Sequence, residues 1–117
     1  MKVGIDIENI EKFSNIDLDR FCKKYFTDYE REYSLKRGVQ TIAGIYSCKE
    51  SILKAFGIGI GGGISLKQIS ILHDNKGKPF VEENEVICEL KRKFSVTQCE
   101  ISISHTKDIV ESICIIM

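Results

Sequence analysis

Asp6 stands in the middle of Gly4-Ile5-Asp6-Ile7, an alternating stretch near the start of the chain. Strand interiors disfavour Asp, and a carboxylate has no capping role to fill there. Two placements are open. Facing inward, the side chain needs a cation, because an unpaired buried carboxylate is costly; facing outward, it shares a wetted side of the strand with Glu8. Glu50 and Lys54 stand one helical turn apart, in the order that favours an ion pair of about 0.2–0.5 kcal/mol. Ala43 and Ser47 extend the same stripe into a narrow face against which something can pack or bind. One carboxylate from a strand and one from a helix can hold magnesium, which completes its shell with water and phosphate oxygens. Lys54 would then neutralise the same phosphates.

His105 follows Ser102-Ile103-Ser104 and precedes Thr106, so hydroxyls and an imidazole cluster at a strand end. Such a set suits hydrogen bonding to a phosphate and equally suits a polar hairpin turn. No G-x-S-x-G accompanies it, which argues against a serine hydrolase. Lys36-Arg37 closes a helix, where cations complement the dipole; the same pair is available to a phosphate. Gly57, Gly59 and Gly62 match G-x-G-x-x-G, but the fingerprint needs a strand before it and a helix after it. The order here is reversed, so the run reads as a helix stop and a loop. His73 ends a strand beside a turn and is expected at the surface.

The elements that must position these groups follow from periodicity. Val3, Ile5 and Ile7 alternate with Gly4, Asp6 and Glu8 in a half-buried strand. Asp17 to Phe26 reads as a short helix, and Thr27-Asp28-Tyr29-Glu30 is a capping box opening another through Arg37. Ile42, Ile45, Tyr46, Ile52, Leu53 and Phe56 recur at helical spacing, with Gly57 as a left-handed cap. Ile69 to Leu72 and Phe80-Val81 flank a turn at Asp74–Pro79. Asn84 caps a helix with Val86, Leu90 and Phe94 on its apolar face. Glu100–Ser104 and Ile109–Ile116 form an antiparallel terminal hairpin. The absence of regular βαβ alternation gives an α+β fold, and 117 residues predict one domain.

Composition narrows the function. Hydrophobic residues make up 43% of the chain, and a formal net charge of zero argues against nucleic acid held by overall charge. Five cysteines without C-x-x-C spacing read as small buried thiols in a reducing compartment, not as disulfides or a zinc site. No leader opens the chain and no apolar run is long enough to span a membrane, so the expected location is cytoplasmic.

Four of these signals share one order. Gly4-Ile5-Asp6-Ile7 comes first, and Lys49-Glu50-Ser51-Ile52-Leu53-Lys54-Ala55-Phe56-Gly57 second, with Gly59-Ile60-Gly61 after it. Asn75-Lys76-Gly77-Lys78-Pro79 and Ser102-Ile103-Ser104-His105-Thr106 complete the set. Together they resemble the holo-acyl-carrier-protein synthases, the short stand-alone class of phosphopantetheinyl transferases. The resemblance implies a phosphopantetheinyl transferase fold, with an antiparallel sheet packed against a long helix, assembled as a homotrimer with sites between subunits. It implies transfer of 4′-phosphopantetheine from coenzyme A to a serine of apo acyl carrier protein. Asp6 and Glu50 match the family's Mg2+ ligands, and with Lys54 they would form the catalytic set. Lys54 would contact the pyrophosphate. Lys36, Arg37, His105 and Thr106, beside Ser104, would meet the 3′-phosphate, and Gly77, Lys78 and Pro79 the adenosine end, with Gly57 also in the coenzyme A set. Lys12, Arg20, Lys23 and Lys24 are the candidates for docking an acidic carrier. The chain departs from the family's R-F-A-x-K-E-A at Ile45, where the arginine is missing, and at Ser47 and Ser51. Lys12 replaces a common arginine, keeping charge without the bidentate fork. The rival functions are a non-catalytic coenzyme A or carrier-binding module and another magnesium-dependent nucleotide enzyme.

Overall fold

Two glycines with positive φ, Gly38 at 109° and Gly57 at 73°, bound the longest helix, α4 (Val39–Phe56). A computed structural model describes residues 1–59 and 61–117, so the expected Gly59-Ile60-Gly61 signature includes one position, Ile60, outside the described residues. Before α4 come β1 (Lys2–Asn9), α1 (Glu11–Ser14), α2 (Leu18–Tyr25) and α3 (Asp28–Leu35). After it come a 3-10 turn (Leu66–Gln68), β2 (Ile71–His73), β3 (Pro79–Val81), α5 (Glu85–Lys93), β4 (Cys99–His105) and β5 (Ile109–Ile116). β1, β5 and β4 form an antiparallel sheet in that order, and β2 and β3 a separate hairpin. The sheet packs against α4, as the α+β reading requires. Among the described residues no helix is long and apolar enough to cross a membrane.

Of the two placements left open for Asp6, β1 takes the inward one, which turns its aliphatic residues outward. Gly4 and Asp6 point into the protein, while Val3, Ile5 and Ile7 are 47%, 51% and 60% exposed. Gly4 explains this placement: a Cβ there would lie 2.0 Å from the Ser51 carbonyl oxygen and 2.5 Å from the Ala55 nitrogen. With no side chain at Gly4, the backbone of β1 lies directly on the small residues of α4. Ser47 Oγ, buried at this seam, donates to the Asp6 carbonyl (3.3 Å) and sits 2.7 Å from Ser112 Oγ of β5.

A buried ion pair joins α3 to α4. Glu30 and Lys49 are both 0% exposed, with Lys49 Nζ 2.5 Å from Glu30 Oε1. Lys49 also donates to the carbonyls of Tyr25 (2.8 Å) and Leu66 (3.0 Å), which uses all three ammonium protons. Glu30 accepts from Thr27 N in the expected capping box and, through Oε2, from Ile71 N at the start of β2. Burial lowers the Lys49 ammonium from its ordinary value, and Glu30 opposes that shift.

Smaller corrections concern α5 and the thiols. Ile87 and Leu90 are the buried positions of α5; Val86 is half-buried and Phe94 is 36% exposed. Cys22, Cys48 and Cys114 are buried as expected, but Cys99 is half-buried and Cys88 exposed. Replacing Lys49 by Met leaves the Glu30 carboxylate buried without its cation, at a cost of about 3–5 kcal/mol. Urea denaturation should show a correspondingly lower midpoint; an unchanged midpoint would remove the pair from the stabilising contacts.

Candidate active site

Asp6 is 6% exposed, so the inward placement holds. Its Oδ1 accepts a hydrogen bond from Lys54 Nζ at 3.1 Å, and its Oδ2 is buried with no partner. Lys54 therefore pairs across to the strand, where it also reaches the Ile5 carbonyl at 3.1 Å, and not with Glu50 along its own helix. An orphaned buried carboxylate oxygen beside a single ammonium is the acceptor a divalent cation would satisfy.

Glu8, considered from sequence only as a companion of Asp6 on an outward face, turns inward with it. Period-two geometry puts it on the same side of β1 as Asp6, and its side chain is only 12% exposed. Burial, reinforced by Asp6, pushes its carboxyl up to about 7, against the pull of Lys12 at 3.1 Å. Glu50, half-buried on α4, lines a mainly apolar groove of about 580 Å3 with Lys24, Tyr25, Tyr46, Lys54 and Leu66. Tyr46 is the other omission. Its phenol is held above the ordinary range by burial first, then by the Glu50 and Glu8 carboxylates, which places all three in one neighbourhood. The signal for Tyr46 was its spacing of four from Glu50, which puts both on one face of α4. Among the described residues no three His, Cys, Asp or Glu side chains converge tightly enough to hold a metal unaided.

A second cleft, of about 220 Å3, uses the N-terminal turns of α4. Gln40, Ile45, His73, Gly77, Pro79 and His105 are among its walls. Gln40 Nε2 lies 2.8 Å from His105 Nδ1. The turn before Pro79 is held by Asp74 Oδ1, which accepts from Lys76 N (2.8 Å) and Lys78 N (2.9 Å), with Gly77 at φ 84°. Ile45, buried where the family arginine was expected, gives this cleft an apolar wall and no charge.

Several expectations divide here. His73 is half-buried, not exposed: its ring stacks on Tyr33 at 3.9 Å, and burial holds its pKa below the ordinary value. Arg37 covers Tyr33 at 3.6 Å, while Lys36 reaches only Glu32. Ser104 is exposed and alternation puts it on the sheet face opposite His105. Thr106 Oγ1 is occupied in the hairpin, accepting from Asp108 N and Ile109 N. Gly57 ends α4 and is no wall of either cleft. Lys78 is exposed on its turn. Of the basic set, Arg20, Lys23 and Lys24 are exposed on α2, whereas Lys12 sits over Tyr46 and against Glu8 at the edge of the acidic site. Asp6 lies on one outer strand of the sheet and His105 on the other, with β5 between them and two residues of register offset, a Cα separation of about 12 Å.

Comparison with known proteins agrees with this architecture. A model of the 4'-phosphopantetheinyl transferase superfamily matches residues 2–114. A holo-[acyl-carrier-protein] synthase of Fusobacterium nucleatum is 41% identical over 116 residues, covering 97% of this chain and 93% of the relative. The crystal structure of a Helicobacter pylori holo-[acyl-carrier-protein] synthase in complex with coenzyme A superposes with a TM-score of 0.85 at 24% identity, over 98% of this chain and 99% of that one. A Bacillus anthracis holo-(acyl-carrier-protein) synthase in complex with CoA (3',5'-ADP) gives 0.80 at 26% identity, over 98% and 94%. The resemblance read from four short motifs is thus borne out over nearly the whole sequence, and the chain belongs to the 4'-phosphopantetheinyl transferase superfamily.

Proposed function

We propose that the chain transfers the 4'-phosphopantetheine group of coenzyme A to a serine of apo acyl carrier protein, releasing adenosine 3',5'-bisphosphate. The observation that carries the reading is Asp6, buried with an orphaned oxygen beside Lys54, at the edge of a groove that Glu50 lines. Relatives over most of the chain are holo-[acyl-carrier-protein] synthases.

Asp6 and Glu50 would hold Mg2+, with Glu8 alongside; the bound ion supplies charge neutralisation at the pyrophosphate and the leaving group. Lys54, 53% exposed, donates to Ile5 and Asp6 and has one proton left to turn toward a pyrophosphate oxygen while keeping Asp6 in place. The carrier serine oxygen forms a bond to the β-phosphorus, and the bond from that phosphorus to the bridging oxygen breaks. The apolar wall of the larger groove excludes water that would otherwise compete with the serine. At the second cleft, Gly77, Lys78 and Pro79 would meet the adenosine, and Lys36, Arg37, Ser104, His105 and Thr106 the 3'-phosphate.

The larger groove lies along the C-terminal half of α4 and the second cleft along its N-terminal turns, and in a trimer a single coenzyme A would be shared between clefts of two subunits. The open sheet face supports a homotrimer: Val3, Ile5, Ile7 and Ile109 are exposed there. Arg20, Lys23, Lys24 and Lys12 would steer an acidic carrier toward the groove. Five unpaired thiols suit a reducing cytoplasm.

Incubation with apo carrier protein, coenzyme A and magnesium should add one phosphopantetheine to the carrier mass. Binding without that gain would instead mark a non-catalytic module, the reading that Ile45 favours, and neither result would leave the other nucleotide enzyme. Glu50→Gln should cut magnesium-dependent turnover by roughly two orders of magnitude with the far-UV spectrum intact; full activity would remove Glu50 from the site. An Ile5→Glu change should convert the trimer to monomers in light scattering and abolish turnover, and an unaltered trimer would exclude the open sheet face as the contact. For the metal-free protein the sign at Glu8 is definite. A carboxyl raised to about 7 contributes stability below its ordinary value, and that contribution is lost as pH rises through about 7. The Tm of the parent should therefore fall relative to Glu8→Gln between about pH 5 and about pH 8, and magnesium should narrow the gap at the upper end. Parallel curves would show that burial and Asp6 do not raise the Glu8 carboxyl.

A further inference from the structure

Two cysteines meet on the helix-facing side of the sheet, Cys99 on β4 and Cys114 on β5. Cys99 lies opposite Ile116 and Cys114 opposite Ile101, so the two strand cysteines are diagonal neighbours on the helix-facing side. Their sulfurs are 3.6 Å apart, in van der Waals contact. Cys114 is fully buried and Cys99 half-buried, so Cys99 is the member that meets solvent. A hydrogen bond from Cys114, helped by the Lys91 ammonium, holds the Cys99 thiol below its ordinary value against the opposing effect of burial. The same contact and burial push Cys114 up.

We propose that Cys99 and Cys114 are a modification site, closing to a reversible intramolecular disulfide when the protein meets a hydroperoxide. The Cys99 thiolate attacks one peroxide oxygen, the O–O bond breaks, and the departing hydroxide takes a proton to become water. Cys99 is left as a sulfenic acid. The Cys114 sulfur then attacks the Cys99 sulfur, and its proton leaves with the sulfenic hydroxyl as a second water. Two thiols and one hydrogen peroxide give one disulfide and two waters. A bond of about 2.05 Å requires the sulfurs to close by roughly 1.5 Å, and because a diagonal pair starts wider apart than the Cβ separation of about 3.5–4.5 Å that a disulfide needs, the start of β4 must also shift toward β5. The pairing is selective. Cys22 and Cys48 are buried, with burial pushing the Cys48 thiol up to about 12. Cys88, though exposed, directs its thiol to the Glu83 carboxylate at 3.8 Å and not to a second thiol. Both strand cysteines lie on the face away from the exposed isoleucines, so covering that open face leaves the pair unaltered.

The test treats the full chain with hydrogen peroxide, alkylates the remaining thiols and maps the peptides. A Cys99–Cys114 linked peptide, lighter by two hydrogens and reopened by dithiothreitol, is the expected product, and Cys88→Ser should form it equally fast. In Cys114→Ser, dimedone should label Cys99. Sulfinic acid at Cys99 with Cys114 still alkylated, dimers through Cys88 alone, or an unoxidised Cys99 would each overturn the assignment.

Discussion

Glu30 and Lys49 form the contact on which the geometry of both clefts depends. Two charges with no solvent exposure are tolerable only because each is saturated: the ammonium by a carboxylate and two carbonyls, the carboxylate by backbone amides at a helix start and a strand start. Those partners belong to α2, α3, α4, β2 and the 3-10 turn, so one pair of side chains fixes the relative placement of five segments. Lys49 turns inward, and the next residue, Glu50, is thereby rotated about a quarter-turn away toward the groove. The Tyr33 side of α3, which abuts the second cleft, is anchored through the same pair.

A second constraint is charge crowding at β1. Asp6 and Glu8 share one side of the strand, opposed by Lys54 and Lys12, and Glu8 stands near enough to Tyr46 to help Glu50 raise its phenol. Two carboxylates crowded on one strand side are unfavourable for folding, the kind of cost expected where function sets the residues. The seam between β1 and α4 accommodates it. Gly4 lets the strand approach so closely that the Asp6 side chain emerges beside Lys54, in place of being lifted into water.

Much of this was legible before the structure. The capping box at Thr27, the limits of α4 and both hairpins follow from local chemistry: a hydroxyl three residues before a glutamate, a positive-φ glycine, alternation across a short turn. What failed depended on contacts distant in sequence. Alternation located β1 but could not say which face was inside, because the partner face of α4 is polar and small where a core is normally apolar. Glu8 was lost with that choice. Ser104 and His105 are adjacent in sequence yet on opposite faces, which alternation itself should have separated. His73 looked exposed because nothing nearby in the chain announces a ring from α3 lying flat against it.

The open side of the sheet carries a further consequence. Val3, Ile5 and Ile7 form a wetted aliphatic ridge on an outer strand, and any second copy that covers it binds the folded chain and not the unfolded one. By mass action, thermal resistance should then climb with protein concentration, so dilution alone becomes a denaturing condition.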